Sequence, residues 1–410
     1  MNKYNKKIYI FYGAGSYAIQ NIDKLLVEWD GVCFADANKN KWGSNIGGLV
    51  VYSIDDALSK FPSAEIVITV NSNFKATYDY LINKGIDAKK ISFVVPREKR
   101  KGCTLLGKCI QLDGGKIMKT CCYEKAYKQI MHSTLKKEFD IFSHEVTEIN
   151  NGLKNNYPTS CDGCSMLYED WWEINPKIET ISLASGFRDD ICNCECVYCD
   201  AQQFLESSKD NKNISVLEAC EFFSNEEIFD NASFILNNGE FVLNKYRREI
   251  LEMCKKKRRS ISLYTNGTYL SQDLIEYMKT IDTTLICSLD AGTADTFKKI
   301  KKVDLFKRTI ENLKEYAKYA SIELKYILLK DYNDSIEDIE GFVEIAGCIA
   351  KKVILSRDLF LRHIPLSERE KEIYRYFIEE ICNKKSIPIQ FYEDCIPESD
   401  INWIRELMVN

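Results

Sequence analysis

The sequence predicts an α/β protein with a partial (β/α)6 barrel, preceded by a smaller α/β domain and a cysteine-rich insert. From Ile178 onward, strand-like runs alternate with helical runs, a pattern typical of parallel strands joined by right-handed crossovers. Near the N-terminus, a strand, a glycine turn and a helix follow one another. The chain has 410 residues, more than one ordinary hydrophobic core holds, which indicates two or three domains.

The predicted boundaries place the first domain at residues 1–98, the insert at 99–174 and the barrel at 175–410. The formal net charge of -5 gives no general attraction to nucleic acid, so no nucleic-acid partner is expected. The sequence shows neither a secretory leader nor a long apolar run, so no membrane span is expected. The 17 cysteines therefore indicate a reducing cytoplasm and not a disulfide scaffold.

The first domain begins with a strand predicted at Lys7–Phe11 and a G-x-G-x-x-A turn formed around Gly13 and Gly15. A helix is predicted to continue through Leu26. The glycines permit a tight turn and let a phosphate approach the helix N-terminus, where free N–H groups favour anions. A second strand ends just before Asp36, roughly where an acid that binds ribose is expected.

This segment resembles the small Rossmann-like domain of sugar acyltransferases and other surface-polysaccharide enzymes. The resemblance includes the patterns Asp36–Gly43 and Ile46–Val51. It implies a nucleotide or nucleotide-sugar site at Gly13, Gly15 and Asp36. The alternative is a glycine turn kept for packing alone, and a lone glycine turn does not decide between the two.

The insert contains two cysteine-bearing pieces. The turn Asp113-Gly114-Gly115 predicts a hairpin between two apolar runs, with Cys109 at the start of the first run and Cys121 after the second. A C-x2-C pair, Cys161 and Cys164, lies farther along the chain.

The insert resembles the auxiliary-cluster segment called SPASM, although that segment follows the barrel in its family and here precedes it. The resemblance implies a second iron-sulfur cluster, with ligands from Cys109 (or Cys103), Cys121, Cys161 and Cys164. A tetrahedral zinc ion would satisfy the same thiols, and unligated thiols are the third interpretation.

Between the insert and the helices of the barrel lies a thiol-rich loop, residues 192–199, here called the cluster loop. Cys192, Cys196 and Cys199 have the spacing C-x3-C-x2-C, which lets three thiolates converge on one face of an iron-sulfur cube and leaves its fourth iron open. A disulfide framework or a structural zinc site is the alternative, and spacing alone leaves these open.

The cluster loop resembles that of the radical S-adenosylmethionine (radical SAM) superfamily, including Asn193 and the aromatic Tyr198. The resemblance implies a 4Fe-4S cluster on Cys192, Cys196 and Cys199 whose open iron chelates S-adenosylmethionine (SAM) and cleaves it reductively to a 5′-deoxyadenosyl radical. It also implies a reducing partner such as flavodoxin or ferredoxin. Cys194 stands where the family usually has an apolar residue and is interpreted as a neighbour of the cluster, not a ligand.

The rest of the barrel is predicted from alternating strand and helix patterns. Strands are predicted at Ile178–Ala184, Ser233–Leu236, Ser260–Tyr264, Thr284–Ser288, Glu323–Leu329, Val353–Ser356 and Pro388–Tyr392. Helices are predicted at Val216–Phe223, Leu243–Lys257, Gln272–Lys279, Glu337–Ala350 and Glu368–Asn383, with further helical sequence up to Tyr319.

Function in such a barrel collects at the carboxyl ends of the strands. The stretch Asn238-Gly239-Glu240 resembles the Gly-Gly-Glu motif of the radical SAM family, which implies that Glu240 holds the methionine ammonium group. Asn266 belongs to a Thr-Asn-Gly stretch that also resembles the family. Ser288 and Asp290 lie in a stretch that resembles the family's fourth-strand signature. Both side chains are predicted to point the same way, because successive side chains of a strand alternate, and to reach ribose hydroxyls. Tyr198, Asn238, Gly239, Glu240, Asn266, Ser288 and Asp290 are thus the predicted SAM-binding residues.

The sequence therefore predicts an enzyme that abstracts hydrogen from an unactivated C–H bond of a small-molecule or carrier-linked substrate. The first domain's resemblance points to a nucleotide-linked sugar or another surface-polysaccharide precursor. Peptide modification is the alternative within the same chemistry. A nucleotide-binding regulatory protein that has kept the barrel but not turnover is the alternative outside it.

Overall fold

The computed structural model describes residues 7–70, 74–114, 117–121, 134–164, 166–199, 213–361, 364–392 and 396–409. The chain divides into two compact units. The first comprises Met1–Gly107 with Glu145–Pro176, and the second comprises Lys108–His144 with Lys177–Asn410. Among the described residues, no helix combines the length and apolar character needed to cross a membrane.

The first unit is built on a six-stranded sheet with the order β3-β4-β2-β1-β5-β6. Its strand pairs are parallel except for the short hairpin formed by β3 and β4. The strands are β1 (Tyr9–Tyr12), β2 (Gly31–Ala35), β3 (Asn45–Ile46), β4 (Leu49–Tyr52), β5 (Glu65–Ile68) and β6 (Ile91–Phe93). The helices are α1 (Ser16–Gln20), α2 (Ile22–Glu28), α3 (Ile54–Lys60) and α4 (Phe74–Asn83).

Both faces of this sheet are covered, as expected for parallel strands. Ile10 and Tyr12 pack into one apolar cluster and Phe11, between them, packs into the other, because successive side chains of a strand point to opposite faces. The predicted strand, glycine turn and helix are all present. The predicted helix through Leu26, however, is divided at Asn21, whose side-chain amide donates to the carbonyl of Tyr17 at 2.8 Å.

An antiparallel ribbon completes the first unit and crosses one of the predicted domain boundaries. Strand β7 (Arg97–Gly102) pairs with β10 (Tyr168–Glu173), so a boundary at residue 98 cuts through a strand. Trp171 in β10 packs against the rings of Tyr78 and Phe93, with centroids 4.8 and 5.0 Å away. The ribbon therefore packs on the core of the first unit, and the division into residues 1–98, 99–174 and 175–410 stays a prediction.

The second unit contains a nine-stranded sheet with the order β17-β16-β15-β14-β13-β12-β11-β8-β9. All neighbours are parallel except β9, which is antiparallel to β8 at one edge. The strands are β8 (Cys109–Asp113), β9 (Ile117–Lys119), β11 (Thr180–Leu183), β12 (Ser233–Leu236), β13 (Ile261–Thr265), β14 (Thr283–Ser288), β15 (Ser321–Leu328), β16 (Lys352–Arg357) and β17 (Ile389–Phe391).

The predicted hairpin is present as β8 and β9, although Gly115 of its predicted turn lies outside the described residues. Its strand β8 pairs directly with β11, Cys109 opposite Thr180. The first half of the predicted insert therefore extends the barrel sheet. The reason is that the apolar residues Ile110 and Leu112 alternate in register with Ile181 and Leu183, which lets all four enter one buried layer.

The helices of the second unit follow the strands as predicted, with two differences. The predicted helix Leu243–Lys257 consists of a 3-10 turn, Phe241–Leu243, and a helix that starts at Arg247. The predicted helix Glu368–Asn383 continues as a π-helix, Ile378–Lys384. Helix α5 (Leu135–Asn155) contains the boundary between the two units, which lies between His144 and Glu145. The helices that follow it in the second unit are α6 (Val216–Asn225), α7 (Arg247–Lys256), α8 (Gln272–Met278), α9 (Ala294–Lys301), α10 (Phe306–Tyr316), α11 (Ile336–Ile349), α12 (Glu368–Phe377) and α13 (Glu398–Val409).

The barrel sheet is strongly curved. The hydroxyl of Tyr264, at the end of β13, lies 2.9 Å from that of Tyr392, just beyond β17. Four strand spacings separate the two strands, a path of about 19 Å along the sheet at about 4.8 Å per spacing. Two side chains four strands apart can meet only across a concave face, so the sheet forms a partial barrel with the strand ends on one rim.

Candidate functional site

Two consecutive carboxylates anchor the chain that enters the cluster loop after β11. Asp190 accepts hydrogen bonds from the backbone N–H groups of Gly186 and Phe187, at 2.7 and 3.0 Å, and from the side-chain amide of Asn238 at 3.0 Å. Burial raises the pKa of Asp190 to about 6. Asp189 accepts from the N–H of Val216, the first residue of α6. These bonds tie the loop entrance to the ends of neighbouring elements.

The turn after β12 holds the residue that precedes the first loop cysteine. Gly239 has φ +60°, and a Cβ atom there would lie 2.5 Å from the carbonyl oxygen of Ile191. The next N–H, that of Glu240, donates to this same carbonyl at 2.6 Å. Gly239 is therefore required because both the left-handed backbone and the close approach exclude a side chain.

The thiols of the first half of the cluster loop lie together. The backbone N–H of Cys194 donates to Sγ of Cys192 at 3.5 Å. Hydrogen bonding with the Cys194 thiol lowers the pKa of Cys192 to about 6 and that of Cys196 to about 7, while it raises the pKa of Cys194. Cys192 and Cys196 therefore ionise more easily than an ordinary thiol, which suits ligands of an iron-sulfur cluster.

Cys199 lies at the exposed end of the loop, and its N–H donates to the carbonyl of Cys196 at 3.0 Å in a tight turn. Within the described ranges, no three His, Cys, Asp or Glu side chains are already grouped closely enough to hold a metal ion. The loop therefore provides the predicted donor atoms, and the ligand set of Cys192, Cys196 and Cys199 stays a prediction.

Glu240 is the most unusual charged group at this rim. Its carboxylate is fully buried and accepts from the hydroxyl of Thr265 at 2.8 Å and from the N–H of Asn266 at 2.6 Å. Burial raises its pKa to about 7. Among the described residues no cation pairs with it, and the buried Oδ1 of the nearby Asn238 has no hydrogen-bond partner. Glu240 thus has hydrogen-bond donors but no opposite charge, and Oδ1 of Asn238 has no donor at all, a combination that fits an ammonium group.

Asn266 joins the strand ends to the cluster loop. Its side-chain amide donates to Oδ1 of Asn193 at 2.9 Å and to Sγ of Cys192 at 3.7 Å. Asn193 in turn donates to the hydroxyl of Thr268 at 2.9 Å, and Thr268 donates back to Asn266. The fold therefore brings Asn193 and Asn266 together, and their hydrogen bonds fix the orientation of the cluster loop relative to the end of β13.

The second half of the cluster loop is held by a buried triad. The hydroxyl of Tyr198 lies 2.5 Å from a carboxylate oxygen of Asp290, and the ammonium of Lys301 contacts both, at 2.7 and 2.6 Å. The other oxygen of Asp290 accepts from the N–H of Ile327 at 2.8 Å. Both oxygens of Asp290 are thus engaged.

The strand-period argument for a common direction of Ser288 and Asp290 does not apply in the structure. Strand β14 ends at Ser288, and Asp290 has a left-handed backbone with φ +55°, so the period of two does not reach it. Ser288 is half-buried and lies opposite Lys325 of β15. The assignment of either residue to ribose stays a prediction.

The predicted nucleotide site in the first unit has glycines of two kinds. Gly13 has φ +114°, and a Cβ atom would lie 2.5 Å from Cγ1 of Val70, so this glycine is explained by packing. At Gly15 an added Cβ meets nothing within 4 Å. Asp36 accepts from the N–H of Ala14 at 2.8 Å and pairs with Lys41 at 2.9 Å. Nucleotide binding by Gly13, Gly15 and Asp36 stays a prediction.

The predicted auxiliary ligands belong to different units. Cys109 and Cys121 lie in the second unit, whereas Cys161 and Cys164 lie in the first, as does the alternative ligand Cys103. Cys161 and Cys164 form a tight turn, with the N–H of Cys164 donating to the carbonyl of Cys161 at 3.0 Å. The second cluster stays a prediction.

Sequence reasoning missed Lys301, which stands in the lysine-rich sequence of α9. A signal was nevertheless present. Phe297, Ile300 and Lys301 have the i, i+3, i+4 spacing of one helix face, and the two apolar residues are fully buried. A lysine on the apolar stripe of a helix needs a buried partner, which Asp290 provides.

Comparison with known proteins agrees with this geometry. Residues 190–346 match the family model of the radical SAM superfamily. This part of the barrel is therefore similar to a radical SAM domain. The matched range begins at Asp190, just before the cluster loop, and it includes Glu240, Asn266 and the triad. The family implies a 4Fe-4S cluster and SAM as cofactors.

Several proteins are similar to parts of this chain. A probable GTP 3′,8-cyclase from Saccharolobus islandicus is 28% identical over 216 residues, which is 48% of this chain and 64% of that protein. The structure of Streptococcus suis SuiB bound to precursor peptide SuiA aligns with 65% of this chain and 56% of its own, at 13% identity and a TM-score of 0.43. UDP-D-quinovosamine 4-dehydrogenase from Vibrio fischeri aligns with 22% of this chain and 79% of its own, at 21% identity and a TM-score of 0.19.

Proposed function

We propose that the protein is a radical SAM enzyme that binds a 4Fe-4S cluster on the cluster loop and SAM beside Glu240. The observation that carries this proposal is the buried carboxylate of Glu240, which has no cation partner among the described residues and belongs to the residue whose own N–H bonds to the carbonyl of Ile191. An uncompensated carboxylate costs several kcal/mol in such a place unless a ligand brings the opposite charge.

The chain's own residues have separate roles in this proposal. Cys192, Cys196 and Cys199 hold the cluster, and Asn266 orients the loop through Cys192 and Asn193. A bound cluster supplies the electron that cleaves SAM, and a flavodoxin or ferredoxin supplies electrons to it.

The residues that bind SAM in this proposal are those whose hydrogen-bond acceptors are still available to a ligand. Glu240 and the Oδ1 of Asn238 accept the methionine ammonium group. Ser288 is the better candidate for ribose, since both oxygens of Asp290 already accept hydrogen bonds.

The test compares Glu240→Gln with the wild type and with Glu323→Gln as a control. Glu323 lies near the amino end of β15, whereas the candidate site lies at the carboxyl ends of the strands. It pairs with Lys352 at 2.9 Å. After anaerobic reconstitution, titration calorimetry should show SAM binding weakened in Glu240→Gln by about 1.5–3 kcal/mol, or roughly 10- to 150-fold. Reduction should yield 5′-deoxyadenosine in the wild type and in Glu323→Gln.

Unchanged SAM affinity in Glu240→Gln contradicts the assignment of Glu240. A cluster that forms and binds SAM but yields no 5′-deoxyadenosine favours the regulatory alternative over an enzyme.

For the substrate we favour a nucleotide-linked sugar or a related surface-polysaccharide precursor, with the first unit as the candidate nucleotide-binding domain. The open space at Gly15 supports this, because packing does not explain that glycine. Nucleotide sugars should raise the melting temperature of the first unit by a few degrees through linkage. Gly15→Val should abolish the shift; equal shifts in both proteins, or none in the wild type, contradict nucleotide binding and favour a peptide substrate.

We assign the protein to a reducing cytoplasm on the basis of its thiols. Ionised, cluster-forming cysteines such as Cys192 and Cys196 are stable only where disulfides do not form.

A further inference from the structure

A single lysine, Lys301, is buried at the C-terminal end of α9. Only 1% of it is exposed, whereas its neighbour Lys298 on the same helix is exposed and pairs with Asp304 on the surface. The ammonium of Lys301 contacts Asp290, which is also fully buried, and Tyr198 of the cluster loop. A buried ion pair is weak evidence for stability, since apolar residues of the same volume often stabilise a fold equally well. The charge therefore calls for another explanation.

We propose that Lys301 is a positioning residue that fixes the cluster loop against α9 and raises the reduction potential of the iron-sulfur cluster bound there. The inference rests on the proposed function, because it concerns the cluster that the loop is expected to hold.

The positioning role follows from where the loop binds. The N–H of Val197 donates to the carbonyl of Ile300 at 3.0 Å, and the N–H of Glu195 donates to the carbonyl of Lys301 at 3.1 Å. These carbonyls belong to the last turn of α9, where helix carbonyls have no partner within the helix. The Lys301 side chain adds a third attachment at Tyr198. One helix end thus holds three residues of the loop, Glu195, Val197 and Tyr198.

The triad also joins the loop to the sheet. Asp290 follows β14, and its second oxygen accepts from Ile327 of β15. The side-chain amide of Asn333 donates to the carbonyl of Asp290 at 2.9 Å, which fixes its left-handed backbone. Tyr198 also packs against Ile300, Ile327 and Leu329. The ammonium is therefore held in one place relative to Cys196 and Cys199, the cysteines on either side of Tyr198.

A fixed cation near a cluster favours the reduced state, because reduction adds one negative charge to the cluster. Low exposure strengthens this effect, since water screens the charge poorly. Removal of the ammonium leaves the carboxylate of Asp290, which has the opposite effect. The midpoint potential of the cluster should therefore fall when Lys301 is replaced by a neutral residue.

The experiment is a redox titration of the reconstituted cluster with dithionite, monitored by electron paramagnetic resonance. Lys301→Met, of similar length but neutral, should shift the reduction equilibrium about tenfold toward the oxidised form, which is about 59 mV for one electron. Lys301→Arg keeps the charge and should stay near the wild-type potential. Lys298→Met, on the exposed face of α9, is the matched control and should not change it.

A double variant separates charge from packing. Lys301→Met with Asp290→Asn removes both charges and should return the potential toward the wild-type value. The electrostatic role is overturned if the midpoint potential of the double variant is as low as that of Lys301→Met. It is also overturned if the cluster of Lys301→Met has the wild-type potential.

The positioning role is tested without the cluster, so a variant that assembles no cluster still decides it. In cluster-free protein, amide exchange at Glu195 and Val197 should be at least about tenfold faster in Lys301→Met than in Lys298→Met, since one attachment of the loop is lost. Equal exchange rates overturn it. A wild-type protein that assembles no cluster overturns the proposed function itself, whereas a wild type that cleaves SAM beside an unaffected Lys301→Met overturns this inference alone.

Discussion

At the scale of single residues, the ionisation of Glu240 should control the stability of the cofactor-free protein. Burial raises its pKa from the usual 4.5 to about 7, so the folded state disfavours the ionised form. The resulting penalty is absent below pH about 4.5, grows as the pH rises, and levels off above pH about 7. At pH 8 it amounts to roughly 3–4 kcal/mol, because the shift is about 2.5 pKa units and one unit corresponds to about 1.4 kcal/mol.

Glu240→Gln removes this penalty while it keeps an acceptor for Asn266. Denaturant unfolding of cofactor-free protein should therefore show Glu240→Gln gaining stability over the wild type between pH 5 and pH 8, with little difference at pH 4.5. A stability difference that does not change with pH would contradict a carboxyl group whose pKa is raised by burial.

Residue roles were predictable where the residue stands in a short motif and not where it acts through a partner distant in sequence. Glu240 and Asn266 are recognisable because each follows a strand beside a glycine. The engagement of Asp290 by Lys301 and Ile327 depends on the turn after β14 and on the next strand. Such contacts follow from tertiary packing, which the local pattern around Asp290 does not contain.

At the scale of the cluster loop, Cys194 should be a neighbour that activates the other thiols and does not bind the cluster. Hydrogen bonding with Cys194 is the main reason that the pKa values of Cys192 and Cys196 are low. In cluster-free Cys194→Ala, alkylation of both thiols at pH 7 should slow by about tenfold or more, as measured by mass spectrometry, because less thiolate is present. Cys220→Ala, a buried thiol in α6, is the control.

After reconstitution, Cys194→Ala should retain about four irons at the loop, whereas Cys192→Ala should lose the cluster. The ligand assignment is wrong if Cys194→Ala loses its iron and Cys192→Ala retains it.

Elements were predicted well where their apolar period was strong. The strands from Ser233–Leu236 to the last one lie within two residues of their predicted bounds, because buried parallel strands are short apolar runs between helices. The break of the first helix at Asn21 and the π-helix after Phe377 were missed. Both depend on side-chain and packing contacts that leave the apolar period almost unchanged.

At the scale of the whole molecule, the sequence indicates that a glycine-turn domain and a barrel are present but does not show how the cysteine-bearing segment is divided between them. Its two halves pair with strands far away in sequence, β7 with β10 and β8 with β11. The partner of a strand is a long-range property, and the charged strand Arg97–Gly102 has the composition of a solvated linker. A boundary placed by composition therefore fell inside a strand.

If the ribbon of β7 and β10 belongs to the first unit, loss of Trp171 should destabilise that unit as a whole. Trp171 packs on Tyr78 and Phe93, whereas its neighbour Trp172 lies against Tyr168 and Gly102, because successive side chains of a strand point to opposite faces. In amide exchange, Trp171→Ala should lower the protection of β1, β5 and β7 together, by about 2–4 kcal/mol.

Trp172→Ala is the matched control and should lower protection in the ribbon alone, since its ring does not reach the six-stranded sheet's aromatic cluster. Protection that falls in β7 while β1 and β5 stay unchanged in Trp171→Ala would show that the ribbon unfolds independently. That result would favour the prediction that the segment from residue 99 onward is a separate insert.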